Sequence, residues 1–171
     1  MHGIYYDETF SLVANMDSIH LELSIVVAKG WEVHQMDVKN SFLHNDLSKE
    51  IYMEQPQGFM QYSSLVFRLK KSLYGLKQAP REWYAKMDSY LLSQKFVRCK
   101  SNPNVYMIRT VDSLILLVLY VDDLLITSCL TSVTTTFKRI LHEKFLMTDM
   151  GSLHFFLGLK ISQDAPGIKL S

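Results

Sequence analysis

Apolar and polar positions recur along this chain with two periods, and the changes of period mark its elements. Asp17 or Ser18 is placed to cap a helix in which Ile19, Leu23, Val26 and Val27 fall at helical spacing, ending near Gly30. Residues 31–38 then alternate with period two, which predicts a strand finishing on a carboxylate, Asp37. Residues 39–43 read as a turn or short helix. Short strands are predicted at 50–54 and 65–69, with a turn at Gln55-Pro56-Gln57-Gly58 after the first. Pro80 suits the first turn of a second helix, because its missing N–H costs nothing there. Trp83, Met87, Tyr90, Leu91 and Gln94 then form one stripe, read as core packing. After a turn at 99–104 come a strand at 105–109 and a turn at 111–113. Val133, Phe137, Ile140 and Leu141 predict a helix over 131–145. An apolar strand containing Gly158 is expected over 155–161, then a turn at 164–167 and a last short strand.

Between the strand at 105–109 and the helix at 131–145 lies an apolar run, residues 114–127, with Asp122 and Asp123 in its middle. The aliphatic halves read as strands too buried to alternate, joined by a tight hairpin that displays two acids. Burying ionised carboxylates costs several kcal/mol unless each is paired or bound to a cation, roughly as for any buried charge. Neighbouring acids raise one another's pKa. The stretch therefore reads either as a plain solvated turn or as a pair held ionised by a divalent metal. It is not a membrane span, because neither half approaches the ~20 apolar residues required. The element order predicts an α+β fold, an antiparallel sheet with helices packed on one face.

At 171 residues, with 48% hydrophobic and 20% charged residues, the chain fits one domain with a real core. Cys99 and Cys129 are its only cysteines and lack any Cys-x-x-Cys spacing, which excludes a disulfide framework and a zinc knuckle. No signal peptide is visible. The net charge of +1 conceals an asymmetry: residues 66–100 carry nine lysines and arginines against two acids, whereas residues 1–65 carry three against nine. The basic stretch is interleaved with Phe67, Tyr74, Trp83, Tyr84, Tyr90 and Phe96. Such a pattern is usually a solvated helix face; it is also the footprint expected of a surface that tracks phosphates and stacks on bases.

Asp37 at a strand end and Asp122 and Asp123 at a hairpin meet in one patch if strand and hairpin are sheet neighbours. Three carboxylates so placed suit hard divalent cations and two-metal nucleotidyl transfer. The six histidines are scattered and read as ordinary.

Three motifs carry a resemblance: residues 36–43 (MDVKNSFL), 73–81 (LYGLKQAPR) and 120–123 (YVDD). In this order and spacing they resemble the reverse transcriptase of copia-type long-terminal-repeat retrotransposons, and the similarity runs from residues 6–11 to 156–158. The resemblance implies a polymerase right-hand palm with partial fingers over residues 1–171. It implies Asp37, Asp122 and Asp123 as catalytic, metal-binding aspartates for two Mg2+ ions, with Mn2+ as a substitute. Phe42 would close the sugar pocket against a ribose 2′-hydroxyl, and Tyr120 would lie beside the primer end. Tyr74, Gly75, Lys77, Gln78 and Arg81 would hold template and incoming nucleotide. Residues 156–158 are similar to the primer-grip strand. The implied partners are an RNA or DNA template with primer, deoxynucleoside triphosphates and other parts of the same polyprotein. The implied setting is cytoplasmic retrotransposon particles, with no membrane.

The chain departs from the family pattern in several places. Leu12 replaces a usual proline, His20 an arginine and Asn45 a glycine. The basic strand usual ahead of Tyr6 and the thumb, connection and ribonuclease H parts usual beyond Ser171 fall outside this sequence. The alternative expectation is a non-catalytic remnant that keeps the fold and binds nucleic acid. A metal-dependent nuclease has the carboxylates but lacks a lysine or histidine at a recognisable spacing.

Overall fold

The computed structural model describes residues 24–26, 28–39, 41–44, 47, 50–60, 62, 64–156, 159–164 and 167–170. The predicted helix start and Leu157 and Gly158 lie outside the described residues. The chain divides into two compact units, one of residues 1–11 and 40–86, the other of residues 12–39 and 87–171.

The second unit is built on a six-stranded antiparallel sheet of order β4-β5-β6-β7-β1-β8. Its strands are β1 (Val33–Val38), β4 (Val97–Arg98), β5 (Val105–Arg109), β6 (Leu114–Tyr120), β7 (Asp123–Ser128) and β8 (Met147–Ser152). The acidic run folds as the predicted hairpin, with a shift in detail: Val121 and Asp122 form the two-residue turn, and Asp123 opens β7 opposite Tyr120. Two-residue hairpin loops need a positive φ at their first central residue. Val121 takes it (φ 52) despite its β-branched side chain.

Cross-strand register sorts the side chains onto two faces. Tyr106, Leu117, Ile126 and His34 share one face. Two helices occupy it: the C-terminal half of α1 (Ala79–Ser93) and α2 (Thr131–Phe145). Tyr106 Oη donates to Asp88 of α1 at 2.8 Å, Lys138 of α2 meets His34 at 3.2 Å, and Tyr90 packs edge-on against Phe145 at 4.9 Å. Trp83, Met87 and Leu91 are buried as the stripe predicts, whereas Gln94 is exposed, because α1 ends before it. The end is a Schellman closure: the Lys95 N–H bonds Leu92 C=O, the Phe96 N–H bonds Leu91 C=O, and Lys95 takes φ 70.

The opposite face carries Val33, Val118 and Leu125, which cluster with Val26, Leu153, Phe156 and Ile161. Each such buried aliphatic or aromatic side chain contributes about 1.5–3 kcal/mol. Val26 belongs to a helical turn just before Gly30, so helical structure flanks both faces, and the expectation of helices on one face holds only for α1 and α2. The strand expected over 155–161 is instead two, β9 (Phe155–Phe156) and β10 (Leu159–Asp164), paired antiparallel with Phe156 opposite Leu159, and β11 (Gly167–Leu170) completes this small sheet. Gln163 ties it to β1, with Nε2 donating to Val33 C=O and Leu153 C=O and Oε1 accepting from the Val33 N–H.

The first unit contains the 3-10 turn Ser41–His44, the hairpin of β2 (Tyr52–Glu54) and β3 (Val66–Arg68), and the loop that opens α1. Among the described residues no helix is long and apolar enough to cross a membrane.

Candidate functional site

Side chains separated by two residues on a strand share a face, so Gln35 and Asp37 of β1 look the same way. Asp37 lies directly opposite Asp123 of β7, and the Val38 N–H donates to Asp122 C=O at 3.1 Å. Tyr120 is the cross-strand partner of Asp123 on the other side. The three predicted aspartates and Tyr120 thus gather at one end of β1, β6 and β7, with Asp37, Asp123 and Tyr120 on the face opposite α1 and α2. The Tyr120 ring meets Phe156 edge-on at 5.7 Å, joining this corner to the apolar cluster below it.

Partial burial pushes the Asp123 carboxyl above its ordinary range. The Gln35 side-chain amide, donating to Asp123 Oδ1 at 2.8 Å, opposes the rise, and the charges of Asp37 and Asp122 add to it. Carboxylate oxygens of this kind suit hard divalent cations better than softer metals. Among the described residues, no three His, Cys, Asp or Glu side chains form a group that could hold a metal ion.

A second group of predicted residues lies in the first unit. Leu76 N–H bonds Leu73 C=O at 3.2 Å, closing a turn in which Gly75 takes φ 94, a conformation costly to any residue with a Cβ. Gly75, Leu76, Lys77 and Gln78 line a cleft of about 390 Å³ with Glu50, Ile51 and Tyr52. Phe42 is buried, and its ring lies 5.7 Å from that of Tyr74, itself 88% exposed. Arg81 is exposed in the first turn of α1. Gln35 is a site residue that the sequence alone does not single out: its i, i+2 relation to Asp37 places it on the same strand face, but its partner Asp123 belongs to a different strand.

The family model for reverse transcriptase (RNA-dependent DNA polymerase) matches residues 1–171. The retrovirus-related Pol polyprotein from transposon TNT 1-94 of Nicotiana tabacum is 46% identical over 171 residues, covering 98% of this chain and 13% of the polyprotein. Those from transposons RE2 and RE1 of Arabidopsis thaliana are 39% and 37% identical, each covering 99% of this chain and 12% of the polyprotein. The chain thus spans about an eighth of the length of these relatives. No solved structure matches it. With the acidic hairpin, the paired Asp37 strand and the glycine loop in place, the chain belongs to the reverse transcriptase family, in the branch found in copia-type retrotransposon Pol polyproteins.

Proposed function

We propose that the second unit is the palm of an RNA-directed DNA polymerase and that Asp37, Asp122 and Asp123 are its metal-binding, catalytic carboxylates. The observation that carries the reading is the register of Asp37 with Asp123, beside the bond from Val38 N–H to Asp122 C=O. These rigid strands bring carboxylates from two distant parts of the sequence to one sheet end. Bound there, two divalent ions would activate a primer 3′-hydroxyl and stabilise a leaving pyrophosphate. Tyr120, held by Phe156, borders the primer end, and Phe42 limits the sugar pocket to deoxynucleotides. Tyr74, Gly75, Lys77, Gln78 and Arg81 hold template and deoxynucleoside triphosphate. The exposed aromatics Tyr52, Phe59, Tyr62 and Phe67 add stacking surface in the first unit. The remainder of a polyprotein would supply further parts.

The test is extension of a DNA primer on an RNA template by the purified chain with Mg2+ or Mn2+. Extension by the unmodified chain and its loss in Asp122→Asn support the reading; extension that survives Asp122→Asn refutes it. One observation favours a second reading, nucleic-acid binding without catalysis: among the described residues no three His, Cys, Asp or Glu side chains form a group that could hold a metal ion. Salt-dependent primer–template binding that is unchanged by Asp37→Asn and unaccompanied by extension would select it.

A further inference from the structure

We propose that Gln35 is a positioning residue, whose side-chain amide holds the Asp123 carboxylate in the orientation in which it serves beside Asp37 and Asp122 as a cation ligand. The inference rests on the metal-site reading above and adds to it a residue outside the three acids.

Four features of the geometry support this role. First, Gln35 Nε2 donates to Asp123 Oδ1 at 2.8 Å, so one carboxylate oxygen is engaged and Oδ2 remains. Second, Gln35 lies directly opposite Leu125, which makes Asp123 its diagonal neighbour. Diagonal positions are about 7–8 Å apart and within reach only of long side chains. Asparagine, one methylene shorter, has the same donor without the reach. Third, the β8 residue opposite Gln35 is Gly151 (φ 79), which has no side chain to compete for the space flanking Gln35. Fourth, the register of β1 with β8 shifts between Gln35 and Met36, leaving Met150 as an extra residue on β8. A bulge of this kind bends β8 and increases the local twist where Gln35 pairs with it.

Charge explains why an amide serves here. Lysine or arginine at position 35 would neutralise part of the negative field that attracts a cation. Glutamate would add a fourth carboxylate to a corner where Asp37 and Asp122 already act on Asp123. Glutamine of the same length donates a hydrogen bond and leaves the net charge unchanged. Partners that orient metal ligands in this way typically change metal affinity about 10–100-fold when removed.

The experiment uses the 171-residue chain and Mn2+ as the probe, with free Mn2+ followed by electron paramagnetic resonance. Gln35→Met keeps the side-chain length and removes the donor; with an unchanged circular dichroism spectrum it is expected to weaken Mn2+ binding about tenfold. Gln35→Asn is expected to weaken it similarly. A second readout needs no change at this position: the Gln35 side-chain amide resonance, shifted by the carboxylate, moves to the position of a solvated glutamine in Asp123→Ala. An unaltered Mn2+ affinity in Gln35→Met, or an amide resonance indifferent to Asp123→Ala, overturns the positioning role alone. Failure of the unmodified chain to bind Mn2+ overturns the metal reading and the role that rests on it.

Discussion

Val121 sets a measurable conflict at the centre of the site. It is the first residue of the two-residue turn between β6 and β7, and it takes φ 52 with a β-branched side chain. Holding an L-residue in the left-handed region costs roughly 1–2 kcal/mol, and glycine escapes that cost. Glycine gives back about 0.4–1 kcal/mol through its larger unfolded-state freedom. Val121→Gly and Val121→Ala lose nearly the same side-chain contacts, so their difference isolates the backbone. The glycine variant is expected to be the more stable by about 0.5–1 kcal/mol. Urea denaturation of both measures this difference. Leu146, exposed at the end of α2 with φ 54, serves as a second left-handed site and should rank the pair the same way. Thr135, on the exposed side of α2, should reverse the order, alanine exceeding glycine by about 1 kcal/mol. An alanine variant at 121 as stable as the glycine variant would refute the claim that the turn is strained.

Further outcomes follow from other parts of the second unit. Asp88 accepts from the fully buried Tyr106 hydroxyl and from Arg98 Nε at 3.0 Å, so Asp88→Ala should cost about 1–3 kcal/mol in thermal or urea unfolding, and Asp88→Asn less. The Asp123 carboxyl is raised by burial, so above the raised value its ionised form opposes folding, and the penalty is relieved as pH falls through that value. Asp123→Asn should therefore raise the urea midpoint at pH 7 and remove this part of the acid-side pH dependence. Burial and the neighbouring Lys138 lower the His34 pKa from 6.5, so the folded chain binds the proton less readily than the unfolded one. Stability should fall as pH drops below 6.5, and His34→Gln should flatten that slope in unfolding curves taken from pH 7.5 to 5.5.

What the sequence reveals depends on whether a signal is local. The hairpin at 114–128, β5 and α2 are legible because their apolar runs, turns and helical spacing lie within single short windows. β8 escapes such reading: Met147–Ser152 contains Thr148, Asp149 and Gly151 and is a strand because it pairs with β1. The division of 155–161 into β9 and β10 is likewise a pairing event that apolar composition alone conceals. The acids are legible one by one, but their meeting is conditional on β1 lying beside β7, a contact between residues far apart in sequence. Gln35 is legible only once Asp123 is known to lie diagonal to it. Lys138, in turn, bonds Asp149 of β8 at 2.6 Å and His34 of β1 at 3.2 Å, a cluster drawn from three elements with no common window.

The proposed divalent-cation site of Asp37, Asp122 and Asp123 is put to the test by a Mn2+ binding isotherm on the unmodified, Asp37→Asn and Asp122→Asn chains. Saturable binding by the unmodified chain, displaced by Mg2+, and weakened binding in each variant are expected. Equal binding by all three chains, or none by the unmodified one, would contradict it.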